Sequence, residues 1–128
     1  MREILFRGKR KDNGEWVKGS FWDEIPNELG GIAQYGSCVF HHIDLETVGQ
    51  FTGFTDKNGA KVFDGDVVKV LQGKDKGVAY VGFENGSFML YPRTGNIYER
   101  TLWAYWYNDW DVEIIGNIHD NPELLESP

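Results

Sequence analysis

The segment from residue 49 to residue 70 contains two tight turns, each with its own glycine, and this pattern constrains the fold more than any other feature of the chain. Asn58-Gly59 lies between two runs of β-branched and aromatic side chains, and Asp64-Gly65-Asp66 is followed by a valine-rich run. Asn-Gly accepts positive φ at both central positions of a turn, which a tight hairpin between right-twisted strands requires. The segment therefore predicts short strands joined by hairpins, as at the start of a small β-barrel.

The rest of the chain repeats this pattern. Asn13-Gly14 and Asn85-Gly86 each separate two runs suited to strands, and both predict further hairpins. Near the end, Asn121 can cap a helix whose first position is Pro122. We therefore predict a mainly β fold: a small, partly open β-barrel of short hairpin-connected strands, with a short C-terminal helix.

The length of 128 residues favours a single domain that covers residues 1–128. Four parts are expected within it: an N-terminal hairpin (1–22), a loop-rich excursion (23–43), a β-barrel core (44–120) and a short helix or tail (121–128). Pro26, Gly30 and Gly31 are the reason for predicting a surface loop in the second part.

The charge and the cysteine content limit the function classes. Thirteen basic and twenty acidic side chains give a net charge of −7, which disfavours general binding to a phosphate backbone. Cys38 is the single cysteine, so no internal disulfide can form, and the chain shows neither an apolar signal region nor a long apolar run. We expect a protein of a reducing, cytoplasmic compartment that has no contact with a membrane.

The aromatic stretch between residues 101 and 110 is the most informative functional feature. On a strand, Trp103, Tyr105 and Tyr107 would lie on one face and Trp106 on the other, with Trp110 just beyond. A strand face in water should not carry three large aromatic side chains, so something is expected to cover them. Three alternatives remain for what covers these side chains: the chain's own residues 23–36, a second protein chain, or a small ligand or base stacked on the rings.

Two groups of polar side chains suggest metal chemistry. His41, His42 and Asp44 offer imidazole and carboxylate ligands, but on a strand only His42 and Asp44 would share a face. A third ligand such as His119 or Asp120 would have to come from far along the chain. We therefore interpret this group as structural and assign no metal site.

A second group consists of carboxylates near the central turns. Asp56, Asp64 and Asp66, with Glu46, could hold a divalent cation or perform acid–base chemistry. Because aspartate commonly bonds the backbone of its own turn, we interpret the three aspartates as turn-stabilising residues. No nucleophile with an activating partner is evident, so no catalytic residue and no cofactor are assigned.

Three segments together resemble the YopX family: RGKR (7–10) with WVKG (16–19), TGFTDKNGAKVFDGD (52–66), and VEIIGNIHDNPELL (112–125). These marks lie at both ends and in the middle of the chain, so the resemblance covers nearly all of it. The resemblance implies a bacteriophage or prophage gene product that acts inside a bacterial cell. It supplies no catalytic residues.

The leading functional hypothesis is a non-enzymatic accessory protein that self-associates or binds a host or phage protein. Its site would consist of Trp103, Tyr105, Trp106, Tyr107 and Trp110. One alternative is a metal-dependent enzyme acting on phosphate esters, using His41, His42 and Asp44 together with Asp64 or Asp66. Another is an acidic DNA mimic that occupies the basic groove of a host protein.

Overall fold

A computed structural model describes residues 4–24, 29–33 and 40–126 of the chain. The described residues belong to two compact units, Met1–Phe51 and Thr52–Pro128. One long strand, β4, contributes residues to both units. The prediction of one domain over residues 1–128 stays a prediction.

Within the described ranges, ten strands, one α-helix and one 3-10 turn follow one another. They are β1 (Phe6–Arg10), β2 (Trp16–Glu24), β3 (Leu29–Ala33), β4 (Phe40–Thr55), β5 (Lys61–Phe63), β6 (Asp66–Gln72), β7 (Asp75–Glu84), β8 (Ser87–Gly95), β9 (Arg100–Thr101), α1 (Leu102–Tyr107), β10 (Asp111–Asn117) and the 3-10 turn (Pro122–Leu125).

In the first unit, β1 pairs antiparallel with β2 and also with β4. The β1–β2 hairpin confirms the predicted turn at Asn13-Gly14, where Gly14 has a φ of 73°. Strand β3 joins β2 to β4, and the unit's core contains buried Val17, Ile32 and Ile43. Of the predicted loop-rich excursion, residues 23–24 and 29–33 are instead strand, because the backbone there is satisfied by pairing between β2 and β3. Residues 40–43 begin strand β4. Residues 25–28 and 34–39 lie outside the described residues.

In the second unit, five antiparallel strands follow the order β10-β6-β7-β8-β9. Strand β6 lies inside the sheet, and Val67, Val68 and Val70 are fully buried on it. Asn85 and Gly86 have φ values of 52° and 82°, which confirms the tight hairpin predicted between β7 and β8. The core of this unit gathers side chains from the sheet, from α1 and from the loop after β8.

Strands account for 62% of the structure and form two antiparallel sheets, which confirms the mainly β prediction. No closed barrel is found within residues 4–24, 29–33 and 40–126, so the partly open barrel is not confirmed and stays a prediction. The predicted C-terminal helix is a 3-10 turn with Pro122 at its start. The side chain of Asn121 does not cap it, because its Oδ1 accepts a hydrogen bond from Asn117 N at 3.2 Å instead.

The aromatic stretch is not a strand, and that prediction was wrong. Residues Leu102–Tyr107 form the only α-helix among the described residues. Tryptophan and tyrosine favour strands in isolation, but burying Leu102 and Tyr105 together requires the three-residue spacing of a helix face. Tertiary burial therefore overrides the local preference here.

Asp56 connects the central hairpin to the edge of the second sheet. Its Oδ1 accepts hydrogen bonds from Asn58 N and Ala60 N, both at 2.9 Å, and its Oδ2 accepts one from Ile114 N on β10 at 3.1 Å. The backbone of Lys57 adds a bond to Val112 O at 2.9 Å. The turn is therefore joined to β10, an edge strand of the second sheet, by one side-chain carboxylate and one backbone peptide group.

The same three donors affect the ionisation of Asp56. Burial of the carboxyl raises its pKa, but the N–H groups of Ile114, Ala60 and Asn58 favour the charged form and outweigh that effect. The pKa of Asp56 is therefore below its ordinary value, and the carboxylate is charged in the folded protein at neutral pH.

Replacing this carboxylate should be costly. In Asp56→Ala, three backbone N–H groups lose a charged acceptor, and we expect a loss of about 3 kcal/mol in the free energy of unfolding. Urea unfolding followed by tryptophan fluorescence measures it. Exposed Glu99 provides a matched control, because Glu99→Ala should change the free energy by less than about 0.5 kcal/mol. Equal stabilities of the two variants would contradict the assigned role.

The contribution of Asp56 to the free energy of unfolding should also depend on pH. Its pKa is lower in the folded chain than in the unfolded one, so its stabilisation is complete above the unfolded value of about 3.9 and is lost as the pH falls through the folded value. The difference in unfolding free energy between the native chain and Asp56→Asn should therefore shrink on acidification below about pH 4. A difference that stays constant on acidification would show that Asp56 is not the titrating group.

Candidate functional site

The helix α1 is held by both of its ends and by its inner face. Thr101 is the N-cap, and its Oγ1 accepts a hydrogen bond from Ala104 N at 3.1 Å. Leu102 and Tyr105 lie three residues apart on the inner face and are almost completely buried in the core of the second unit. The Tyr105 hydroxyl donates to Tyr98 O at 2.5 Å. Burial raises the pKa of Tyr105, so the phenol stays protonated at neutral pH.

The C-terminal end of α1 closes in a Schellman motif. Asp109 has a φ of 57°, its N donates to Trp106 O at 3.2 Å, and Trp110 N donates to Tyr105 O at 3.1 Å. The motif includes the apolar contact that usually accompanies it, because the rings of Trp110 and Tyr105 meet edge to face at 5.0 Å. The indole of Trp110 is thereby fixed beside the helix it follows.

The outer face of α1 carries three exposed aromatic side chains, Trp103, Trp106 and Tyr107, with exposed fractions of 55%, 58% and 65%. We call these residues the aromatic face. Trp103 and Tyr107 are one helical turn apart and stack at 4.9 Å with 19° between their planes. Trp106 is supported by Phe54, whose ring centroid lies 6.0 Å away. The aromatic face is therefore ordered as well as exposed.

The structure brings the five predicted aromatic residues together, but it divides their roles. Trp103, Trp106 and Tyr107 are exposed, Trp110 is half-buried, and Tyr105 belongs to the core. Residues 23–36 were one of the segments considered as a cover for the aromatic rings. Of these, residues 29–33 form strand β3, and residues 25–28 and 34–36 lie outside the described residues. The sequence did contain signs of a helix, namely a Thr101 cap and apolar residues at a spacing of three.

A cavity of about 360 Å³ opens beside α1, within the second unit. It is lined by the central hairpin, the helix and the start of β10: Thr55, Asp56, Lys57, Leu102, Trp106, Asp109, Trp110, Asp111 and Val112. We call this cavity the Trp106 pocket. Sequence reasoning missed Asp109 and Asp111, although two aspartates on either side of a tryptophan were a visible signal.

The residues considered as metal ligands do not form a group. His41, His42 and Asp44 lie on β4, where His41 is half-buried and the other two are exposed. The Oδ1 of Asp44 accepts a hydrogen bond from Glu46 N at 3.1 Å. Among the described residues, no set of three or more His, Cys, Asp or Glu side chains could hold a metal ion.

Two of the three central aspartates, Asp56 and Asp66, stabilise the backbone of their own turns, as predicted. Asp56 accepts the three backbone bonds described above, and buried Asp66 accepts one from Phe63 N at 2.7 Å through its Oδ2. Glu46 belongs to the first unit and is exposed on β4. The local geometry therefore supports the turn interpretation rather than a carboxylate cluster.

A family model described as YopX protein matches residues 5–126, which is nearly the whole chain. The chain belongs to the YopX family. This confirms the resemblance carried by the opening, central and closing segments. No curated protein matches this YopX-family chain.

Among solved structures, the chain is similar to the crystal structure of protein EF1440 from Enterococcus faecalis. The two are 20% identical, with a TM-score of 0.60 over 98% of this chain and 100% of the other. At this identity the similarity shows a shared fold. Within the described part of this chain, no helix is long and apolar enough to cross a membrane.

The two tyrosines of α1 provide a test of how the helix is oriented. Tyr105→Ala should cost about 4 kcal/mol of unfolding free energy because it empties a core position and removes a hydrogen bond. Tyr107→Ala should cost less than about 1 kcal/mol because that ring is 65% exposed. Thermal and urea unfolding compare the pair directly. A larger loss for Tyr107→Ala would mean that the helix presents its other face to the core.

Proposed function

We propose that this YopX-family chain is a non-enzymatic phage or prophage accessory protein of the bacterial cytoplasm, whose aromatic face docks a protein partner. The partner is either a second copy of the chain or another phage or host protein. The observation that supports the proposal is the set of three exposed aromatic side chains on one six-residue helix. Tryptophan and tyrosine are the residues that most often carry binding energy at protein interfaces.

The way in which the helix is anchored adds to this argument. Leu102 and Tyr105 fix α1 from below, the Thr101 cap and the Schellman motif fix its ends, and the Trp103–Tyr107 stack orders the outer rings. Rings that are already ordered lose little conformational freedom when a partner covers them. Neighbouring exposed rings also place apolar surface together, which monomeric proteins usually keep small.

The metal-dependent enzyme acting on phosphate esters and the acidic DNA mimic remain the alternatives. No observation among the described residues favours either of them over the binding module.

The experiment that tests the proposal compares solution mass across protein concentration, by size exclusion with light scattering. If the chain self-associates, the double variant Trp103→Ala/Tyr107→Ala should shift the midpoint of assembly to at least about tenfold higher concentration, because it removes two interfacial rings. Tyr105 is left intact in this variant because it belongs to the core.

The matched control is Phe83→Ala, which removes another exposed aromatic side chain, 57% accessible, from strand β7. It should leave the assembly midpoint unchanged. If the native chain is a monomer, the same three proteins are compared for capture of a protein from bacterial lysate. Identical behaviour of the native chain and the double variant in both assays would contradict the proposal.

A further inference from the structure

The Trp106 pocket combines indole rings with carboxylates on rigid elements. Trp106 and Trp110 line it from α1 and from the residue before β10, while Asp109 and Asp111 are the neighbours of Trp110 in the chain. Trp106 is held against Phe54 and Trp110 against Tyr105. Asp109 is fixed in the left-handed conformation by the Schellman motif, and Asp111 pairs with Leu71 across the sheet. The walls of the pocket are therefore largely preformed.

The charges around the pocket are not balanced. The carboxylate of Asp56 is occupied by three backbone donors, and Lys57 Nζ lies 3.5 Å from Glu113 Oε2. Neither Asp109 nor Asp111 has a side-chain hydrogen-bond or ion-pair partner within the part of the chain that the structure describes. Two exposed carboxylates thus flank an aromatic pocket whose lysine already has an acidic partner.

We propose that the Trp106 pocket binds the guanidinium group of an arginine side chain on a partner protein. A guanidinium is planar and weakly hydrated, so it stacks on an indole while its N–H groups donate in pairs to carboxylates. A cavity of about 360 Å³ is large enough for such a side chain. The net charge of −7 also favours the approach of a basic partner.

This inference rests on the proposed function, because the arginine belongs to the partner that docks on the neighbouring aromatic face. Trp106 is common to both surfaces: it is exposed on the helix and also lines the pocket. The pocket therefore gives the docking face a chemical preference that apolar contact alone does not provide.

The test titrates the complete chain with N-acetyl-arginine amide at constant ionic strength and follows the indole N–H resonances by NMR. The signals of Trp106 and Trp110 should shift with a dissociation constant in the millimolar range, as expected for a single side chain. N-acetyl-citrulline amide has nearly the same shape without the charge, and it should bind at least about tenfold more weakly. N-acetyl-lysine amide should also bind more weakly, because an ammonium group cannot stack and donate as a planar fork.

Variants then assign the binding to the pocket. The double variant Asp109→Asn/Asp111→Asn should lower the affinity for the arginine probe by at least about tenfold. Asparagine tolerates the positive φ at position 109, so the backbone there should be kept. Trp106→Ala should weaken it similarly, since a stacking surface is lost. Trp103→Ala is the matched control: it removes an exposed indole of the same helix that does not line the pocket, and binding should stay within about twofold.

Equal binding of the arginine and citrulline probes would overturn the inference, and so would equal binding of arginine and lysine. Unchanged binding in Asp109→Asn/Asp111→Asn would also overturn it. These outcomes are separable from the failure of the proposed function. Loss of assembly or capture in Trp103→Ala/Tyr107→Ala without probe binding supports the docking face alone, whereas probe binding with unchanged assembly and capture supports the pocket alone.

Discussion

The carboxylate of Asp56 sets the geometry on which the second unit's candidate site depends. It accepts bonds from two residues of its own hairpin and from Ile114, which is 58 residues further along the chain. A charged acceptor with three N–H donors fixes both the turn and its distance from β10. That distance defines one wall of the Trp106 pocket, because Lys57 and Asp56 face it from the hairpin. A local turn residue therefore also acts as a long-range connection.

The second constraint is the shortness of α1. A helix of six residues has little stability of its own, so its position depends on the cap, the Schellman motif and two buried side chains. Because Leu102 and Tyr105 face the core, the opposite face of α1 points outward, and its exposed positions are occupied by large aromatic side chains. The exposure of Trp103, Trp106 and Tyr107 follows from how Leu102 and Tyr105 are buried. The proposed docking surface and the residues that stabilise the helix thus lie on opposite faces of the same short element.

Much of the candidate site could be named from the sequence, but its division into roles could not. A cluster of tryptophan and tyrosine is visible in the composition of residues 101–110, whatever secondary structure it adopts. Which rings are buried depends on the period of the backbone, and alternation along a strand puts Tyr105 beside Trp103 and Tyr107 on one face. The helix places Tyr105 in the core and leaves the other two outside. The pocket was also beyond sequence reasoning, because its lining comes from segments far apart in the chain.

The sequence by itself determined the turns. Gly14, Gly59 and Gly86 each have the positive φ that glycine adopts without strain, and Asn85 shares it, so the hairpins and the mainly β class followed from local turn chemistry. Tertiary structure alone decided the helix at Leu102–Tyr107, the strand character of β3, and the meeting of Asp56 with Ile114. The physical reason is the range of the interactions involved. A turn is governed by the φ and ψ preferences of two residues, whereas burial and strand pairing depend on neighbours that only the folded chain brings together.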